Sequence, residues 1–561
     1  MNQSPRWSRL LIAGTVALFL LRLALSLLRT GPVLVADEIG YLTNARVIDG
    51  GLAGQLEQAP FYRGGYSLLI APLLELGSNP TFLYHLVLGL NAALAASVFP
   101  LLYLLLTRFA GVRPELAIWA ALAGALYPAL TVLSQVAMSE NALFPLVCLW
   151  LIAFAGLLSE REGGRGDLVW AAALGAATGA LWAVHNRMVV AVAVALAGMV
   201  WLAVRRRLRP AALVLGVAVI ALAFYGVHLL DGFLIDDNYA GSAPDELSER
   251  MDELLRFGGL RTVLANLAGQ TWYLLVATFG LAAFAVADFA RRRTPLLGVL
   301  LALTALLLLI SAAAFPERTR PDMLIYGRYA EVVAPALIAF GLAALSRVWL
   351  SFVPDSDSKL NHTLRRVAWP LAGFGALTAL VVLIRATASD PDAANRWNIT
   401  ALPFVTVQLG PAILIGAALV ALGGAWLLTR ASAFGPKVTG AAAVALFLAV
   451  AAYGAWNPVR SSERAVYPAG WTSPQAAAED AGAKTIAYDL DSYDTIGLYS
   501  LQWFLPNTKV TLFEASREKP DSRFVLAGED WPRRQGVRAR PLWAAAGRDQ
   551  VLWRVSGPGA G

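Results

Sequence analysis

Apolar stretches of about 20 residues recur along most of the chain, each long enough to cross a hydrocarbon core of roughly 30 Å as a helix. They lie near residues 10–28, 81–107, 115–133, 140–158, 168–184, 188–204 and 211–230, and again near 268–289, 295–314, 330–350, 367–386, 410–429 and 438–456. The pattern predicts a polytopic α-helical membrane protein with about thirteen spans. Past residue 456 the pattern changes. A strand-like KTIAYDL at 484–490, a helical TIGLYSLQWFL and strands at TKVTLFE and RFVLAG predict a small soluble α/β domain over 457–561, following a membrane domain over 1–456.

Composition agrees with a membrane solvent: 58% of the 561 residues are hydrophobic and 15% charged, with a mean hydropathy of +0.59. The net charge of +7 does not point to nucleic acid, because the basic residues form short runs between apolar segments. Arg205-Arg206-Arg207 and Arg291-Arg292-Arg293 are expected to lie inside. With a cytoplasmic N-terminus, both runs land inside and the tail lands outside. The first apolar stretch is expected to be an uncleaved span, because it is longer than a signal core and Arg22 interrupts it. A single cysteine, Cys148, rules out a disulfide framework and a cysteine zinc cluster. Arginine far exceeds lysine, a composition that fits a bacterial plasma-membrane protein.

The outer segments 29–80, 231–267, 315–329 and 387–408 are longer and more acidic than the inner ones, and no internal repeat of a transporter type is visible. The expected active site is therefore one-sided. In the first outer loop, DEIGYLTNARVI places Asp37, Tyr41 and Asn44 on one helical face, with Ile39, Leu42 and Ala45 on another that is expected to rest in the membrane interface. Tyr66 to Leu76 is apolar but too short to span, and reads as re-entrant or interfacial. An aspartate just outside a span can act as a general base, or merely cap its helix; Glu38 beside it could hold an acceptor or a metal.

Arg63 in FYRGGY, His185 and Arg187 in HNR, and Arg328 in YGRY all fall at the same outer boundary, a cationic rim suited to phosphate oxygens. Glu140 after Ser139 reads as a helix-start acid. Asp236 and Asp237 in an outer loop leave a divalent cation open, with no cofactor otherwise implied. Asp489, Asp491 and Asp494 read as strand-end and turn residues, and Asn398-Ile399-Thr400 fits a glycosylation triplet.

The first-loop sequence DEIGYLTNARVI, with GGYSLLIAPLLELG before the second span and RYAEVVAPALIAF at 328–340, resembles the GT-C membrane glycosyltransferases, in particular lipid A aminoarabinose transferases, protein O-mannosyltransferases and arabinofuranosyltransferases. The resemblance implies an inverting glycosyltransferase that moves a sugar from a polyprenyl-phosphate donor to an acceptor hydroxyl of a cell-envelope glycan, lipid or protein. It implies Asp37 as base, with Glu38 in support. It also suggests Tyr41, Arg46, Arg63, His185, Arg187, Arg328 and Tyr329 as substrate-binding residues, with Arg63, Arg187 and Arg328 holding the donor phosphate. The alternative is a transporter or flippase of a lipid-linked sugar, which uses the same cations and needs no base.

Overall fold

The computed structural model describes residues 5–33, 35–56, 59–159, 166–239, 257–314, 320–350, 358–386, 395–405, 410–467, 469–492, 495–546 and 549–556. Asp494 and parts of the expected outer segments 231–267, 315–329 and 387–408 lie outside the described residues. The first half of the chain forms α1 (Pro5–Ser26), α2 (Val35–Ile48), α3 (Gly64–Leu74), α4 (Pro80–Leu104), α5 (Pro114–Ala125) and α6 (Pro128–Leu133), then α7 (Glu140–Ser159), α8 (Gly166–Val184), α9 (Val189–Val204) and α10 (Pro210–Asn238). The second half continues with α11 (Phe257–Ala277), α12 (Leu281–Arg292), α13 (Pro295–Ala314), α14 (Pro321–Leu324), α15 (Arg328–Glu331) and α16 (Ala334–Leu350). It ends its membrane part with α17 (Ser358–Ala386), α18 (Pro411–Ser432) and α19 (Pro436–Val466).

Among the described residues, nine helices are long and apolar enough to cross a membrane, and up to eleven if two bent pairs each count as one span. The first bend, of 101°, separates α11 from α12; it falls at Gly280, whose φ of 74° supplies a left-handed residue. The second, of 75°, lies between Pro321–Glu331 and Ala334–Arg347. The stretch expected to span at 115–133 is instead two short helices, α5 and α6, because Pro128 cannot continue the helix that ends at Ala125. In the stretch expected at 367–386, the described apolar helix is Ala372–Ala386.

Two local expectations are corrected. Ile39, Leu42 and Ala45 are all buried inside the protein, so α2 has no face resting on the membrane interface. Asp236 and Asp237 are exposed in the last turn of α10, which runs on to Asn238, rather than in a loop. At that helix end Asn238 donates to Asn44 Oδ1 at 2.8 Å and accepts from the Gly54 amide at 2.9 Å, clasping α2 and the loop after it.

The C-terminal part contains α20 (Gln475–Asp480), β1 (Thr485–Asp489), α21 (Thr495–Phe504), β2 (Lys509–Phe513), β3 (Phe524–Ala527), α22 (Trp531–Gln535), β4 (Arg538–Ala544) and β5 (Val551–Ser556). They form one sheet in the order β2-β1-β3-β5-β4. The β1–α21–β2 unit is parallel, as the sequence pattern predicts, while β5 pairs antiparallel with β3 and β4. Asp489 is buried at the end of β1, where its carboxylate accepts the Asp491 and Ala515 amides, a turn role.

The C-terminal sheet part is docked on α2, the segment after it and α4. Arg46 donates to the carbonyl of Gln502 in α21 at 3.0 Å, and Trp503 packs edge-on against Tyr84 of α4 at 6.4 Å.

Candidate active site

Asp37 and Glu38 open α2, where negative side chains are favoured by the exposed amides and dipole of a helix start. They point to different surroundings. Glu38 is fully buried. Its Oε1 accepts the Tyr84 hydroxyl and the Ala137 amide, each at 2.6 Å, and its Oε2 accepts the Val33 amide at 2.7 Å. A carboxylate so engaged ties α2 to α4 and to the turn before α7. Glu38 thus braces these elements and, unlike Asp37, has no exposed side-chain surface.

Asp37 keeps 23% of its side chain exposed, whereas the neighbouring acids Glu38 and Glu140 have none. Its Oδ1 accepts the Tyr62 hydroxyl at 3.0 Å and its Oδ2 accepts Arg328 Nη1 at 2.8 Å. Of these three acids, then, Asp37 alone can meet an incoming hydroxyl. Burial and the negative charge of Asp37 both push the Tyr62 phenol well above its ordinary range, so Tyr62 remains a donor.

Arg328 also reaches Glu140, with Nη2 3.4 Å from Oε1. Arg187 approaches the same oxygen through Nη1 and Nη2, each at 3.1 Å. Tyr41 donates to Ser139 Oγ at 2.8 Å, and Ser139 lies 3.4 Å from Glu140 Oε2. Two guanidinium groups and two carboxylates thus form one connected cluster built from α2, the start of α7, the α8–α9 turn and α15. Its formal charges cancel. Of the cationic rim expected from the sequence, Arg187 and Arg328 thus lie in a balanced charge network, where the two acids offset the cost of burying them.

The remaining expected residues divide. His185 caps the turn after α8 through Nδ1, which accepts the Arg187 amide at 3.3 Å, and its ring meets Tyr329 edge-on at 5.6 Å. Tyr329 in turn lies under the Arg187 guanidinium at 4.6 Å. Burial and the adjacent Arg187 charge hold the His185 imidazole well below its ordinary range, so it adds no positive charge. Arg63 belongs to a neighbouring cluster: it pairs with Asp231 at 3.0 Å, bonds Asn186 and stacks on Trp182 at 3.8 Å. Arg46 is not part of the site. It lies near the far end of α2, bonded to Leu52 and Gln502 carbonyls.

Tyr62 escapes sequence reading, and Glu140 after Ser139 reads from sequence only as a helix start. Glu140 carried a usable signal, since an acid opening an apolar span is costly at membrane depth without a partner. Glu331 escaped too; it accepts the Thr400 hydroxyl at 2.7 Å, the Ala401 amide at 3.1 Å and the Tyr273 hydroxyl, and so anchors α15, the helix that carries Arg328. Asn398 is buried and donates to Asp322 at 2.7 Å. The Asn398–Thr400 triplet is thus a buried support for that helix and not an exposed glycosylation acceptor.

Among the described residues no group of three or more His, Cys, Asp or Glu is placed to hold a metal ion. Asp37 and Glu140 are both bonded by arginine, a donor set that does not fit a divalent cation.

No family model and no curated protein matches the chain in sequence. In structure it is similar to ArnT from Cupriavidus metallidurans bound to undecaprenyl phosphate. The TM-score is 0.55 at 16% identity, over 99% of this chain and 100% of that one. The apo state of the same protein gives 0.53, again at 16% identity, over 98% and 99%. At this identity the likeness is one of fold.

Proposed function

Proceeding from a GT-C membrane fold, we propose that the chain is an inverting glycosyltransferase that moves a sugar from a polyprenyl-phosphate donor to an acceptor hydroxyl on the outer face of a bacterial plasma membrane. The observation that carries this reading is the partly exposed Asp37 carboxylate, held 2.8 Å from an arginine that is itself anchored by a buried glutamate. A base and a phosphate-binding cation then lie within one side chain of each other, as a single displacement requires.

In the proposed step, the donor phosphate draws Arg328 from Asp37, with Glu140 holding the guanidinium in place. Asp37, released from its ion pair, takes the acceptor proton. The acceptor oxygen forms a bond to the anomeric carbon as the bond from that carbon to the phosphate oxygen breaks, inverting the centre. The polyprenyl phosphate leaves with its charge opposite Arg328 and Arg187. Tyr62 and Glu38 keep the Asp37 carboxylate in position.

Two further observations support a lipid donor. ArnT from C. metallidurans has been crystallised with undecaprenyl phosphate. In this chain α7 and α9 lead away from the charge cluster to an open, largely apolar groove of about 1060 Å³, lined among others by Phe154, Ala197, Trp201, Phe289 and Leu306 with Arg293 at its edge, a setting for an isoprenoid chain. The division into a membrane domain over 1–456 and a soluble domain over 457–561 on the outer side belongs to the same reading.

Mass spectrometry of cell-envelope glycans, lipids and glycoproteins from a strain lacking the chain tests the proposal. A single sugar should be missing, restored by the wild-type chain and not by Asp37→Asn; an unchanged envelope overturns it.

A further inference from the structure

The sheet of the soluble domain carries three exposed arginines on one face. Leu552 of β5 packs in the core that α20 and α21 build with Ala478, Leu498, Leu501 and Leu505. Arg554 is two residues further along and so points to the same side. In β4, Ala539 packs against the opposite core, which puts Arg538 and Arg540 on the face of Arg554. The register sets Arg540 directly against Arg554.

Like charges directly opposite on neighbouring strands destabilise a sheet unless something neutralises them. Nothing in the described protein does. Among the described residues the ion pairs of this domain are Arg517–Glu514 and Arg534–Asp530, and none of the three arginines takes part in one.

The direction of this face follows from its helices. On the side away from the sheet, α21 meets the membrane part through Gln502 with Arg46 and Trp503 with Tyr84. At the start of α20, Gln475 donates to the Ser78 carbonyl, just before α4, at 3.1 Å. The face that bears these helices therefore looks toward the helical bundle. β4 is an edge strand of the sheet; its Leu542 and Trp543 pack beside α20, while Arg538 and Arg540 at its other end stay exposed.

We propose that Arg538, Arg540 and Arg554 rest on the anionic headgroups of phospholipids surrounding the bundle, the lipid phosphates supplying the charge that the sheet lacks. Guanidinium groups suit phosphate oxygens bidentately, and basic residues near an anionic membrane surface are attracted within a Debye length. The contact holds the outer edge of the domain, while α21 holds its inner edge on the first loop. This inference is independent of the proposed transfer reaction, and its failure leaves that reading standing.

Hydrogen exchange of the full chain in nanodiscs tests it. Amides of 538–544 and 551–556 are compared in neutral phosphatidylcholine and in discs containing anionic phosphatidylglycerol. Exchange in the wild-type chain should be slowed roughly tenfold by the anionic lipid. The slowing should vanish in about 1 M salt, where the Debye length is about 3 Å, and in the variant R538Q/R540Q/R554Q. Equal wild-type exchange in the two disc types overturns the proposal. So does lipid-dependent slowing that survives in the variant, or slowing of the same size when inorganic phosphate is added to neutral discs.

Discussion

Arg328 lies between two carboxylates, with Nη1 2.8 Å from Asp37 and Nη2 3.4 Å from Glu140. One cation thus links the exposed acid of the site to a buried one. A lysine presents a single ammonium and cannot span both with a planar fork. Arg328→Lys should lower kcat/KM by about a hundredfold while the protein still folds. Steady-state kinetics in detergent checks this; a loss under about twofold contradicts a role in holding phosphate.

Glu140, itself fully buried, accepts from Arg187 and Arg328. Glu140→Gln leaves two positive groups short of a partner, and breaking a buried pair from one side costs about 3–5 kcal/mol. A marked fall in the thermal unfolding midpoint is expected. Glu140→Gln combined with Arg187→Gln should recover part of it, because the unpaired charge is removed together with its partner.

Glu38 separates from Asp37 in its expected phenotype. Glu38→Gln replaces an acceptor of three hydrogen bonds by an amide with one acceptor oxygen, costing about 1–3 kcal/mol. The unfolding midpoint should fall while donor affinity stays unchanged. Asp37→Asn should show the converse stability behaviour, with little change in unfolding.

The pH response of His185 has a definite sign. Its folded-state basicity is depressed below the ordinary value of 6.5, so below that pH the unfolded chain binds a proton that the folded chain resists. Stability is therefore full above the unfolded value and is lost as pH falls through 6.5 toward the folded value. Unfolding scans stepped downward from about pH 7.5 should show this loss. His185→Gln should flatten that part of the profile.

These predictions rest on contacts that differ in how far the sequence reveals them. Nine of the thirteen expected spans are legible, because a helix in lipid must be apolar over its own contiguous length; those at 115–133 and 367–386 give shorter apolar helices among the described residues. The β1–α21–β2 unit is legible for the same local reason, its strands being short runs bounded by turn residues. β4 was not: RARPLWA is charged and holds Pro541 beside an irregularity in register, so it lacks the alternating pattern of a strand.

Asp37 stood out through helix phase and through the family resemblance of its segment. Its partners are another matter. Residues 37, 140, 187 and 328 meet only through packing, and no local pattern records which acid each arginine finds. Arg63, His185, Arg187 and Arg328 at one boundary therefore read as a cationic rim, although Asp231 pairs with Arg63, and Asp37 and Glu140 pair with the other two arginines. Arg46, in helix phase with neither, belonged by sequence to the same motif and by structure to the domain interface.

The central claim is that Asp37 is the base of a transfer reaction, and it is tested most directly with purified wild-type and Asp37→Asn protein in liposomes carrying a polyprenyl-phosphate sugar donor and an envelope extract as acceptor. Asp37→Asn should lower sugar transfer by at least about a hundredfold while polyprenyl phosphate still binds. Transfer by Asp37→Asn at the wild-type rate would contradict it.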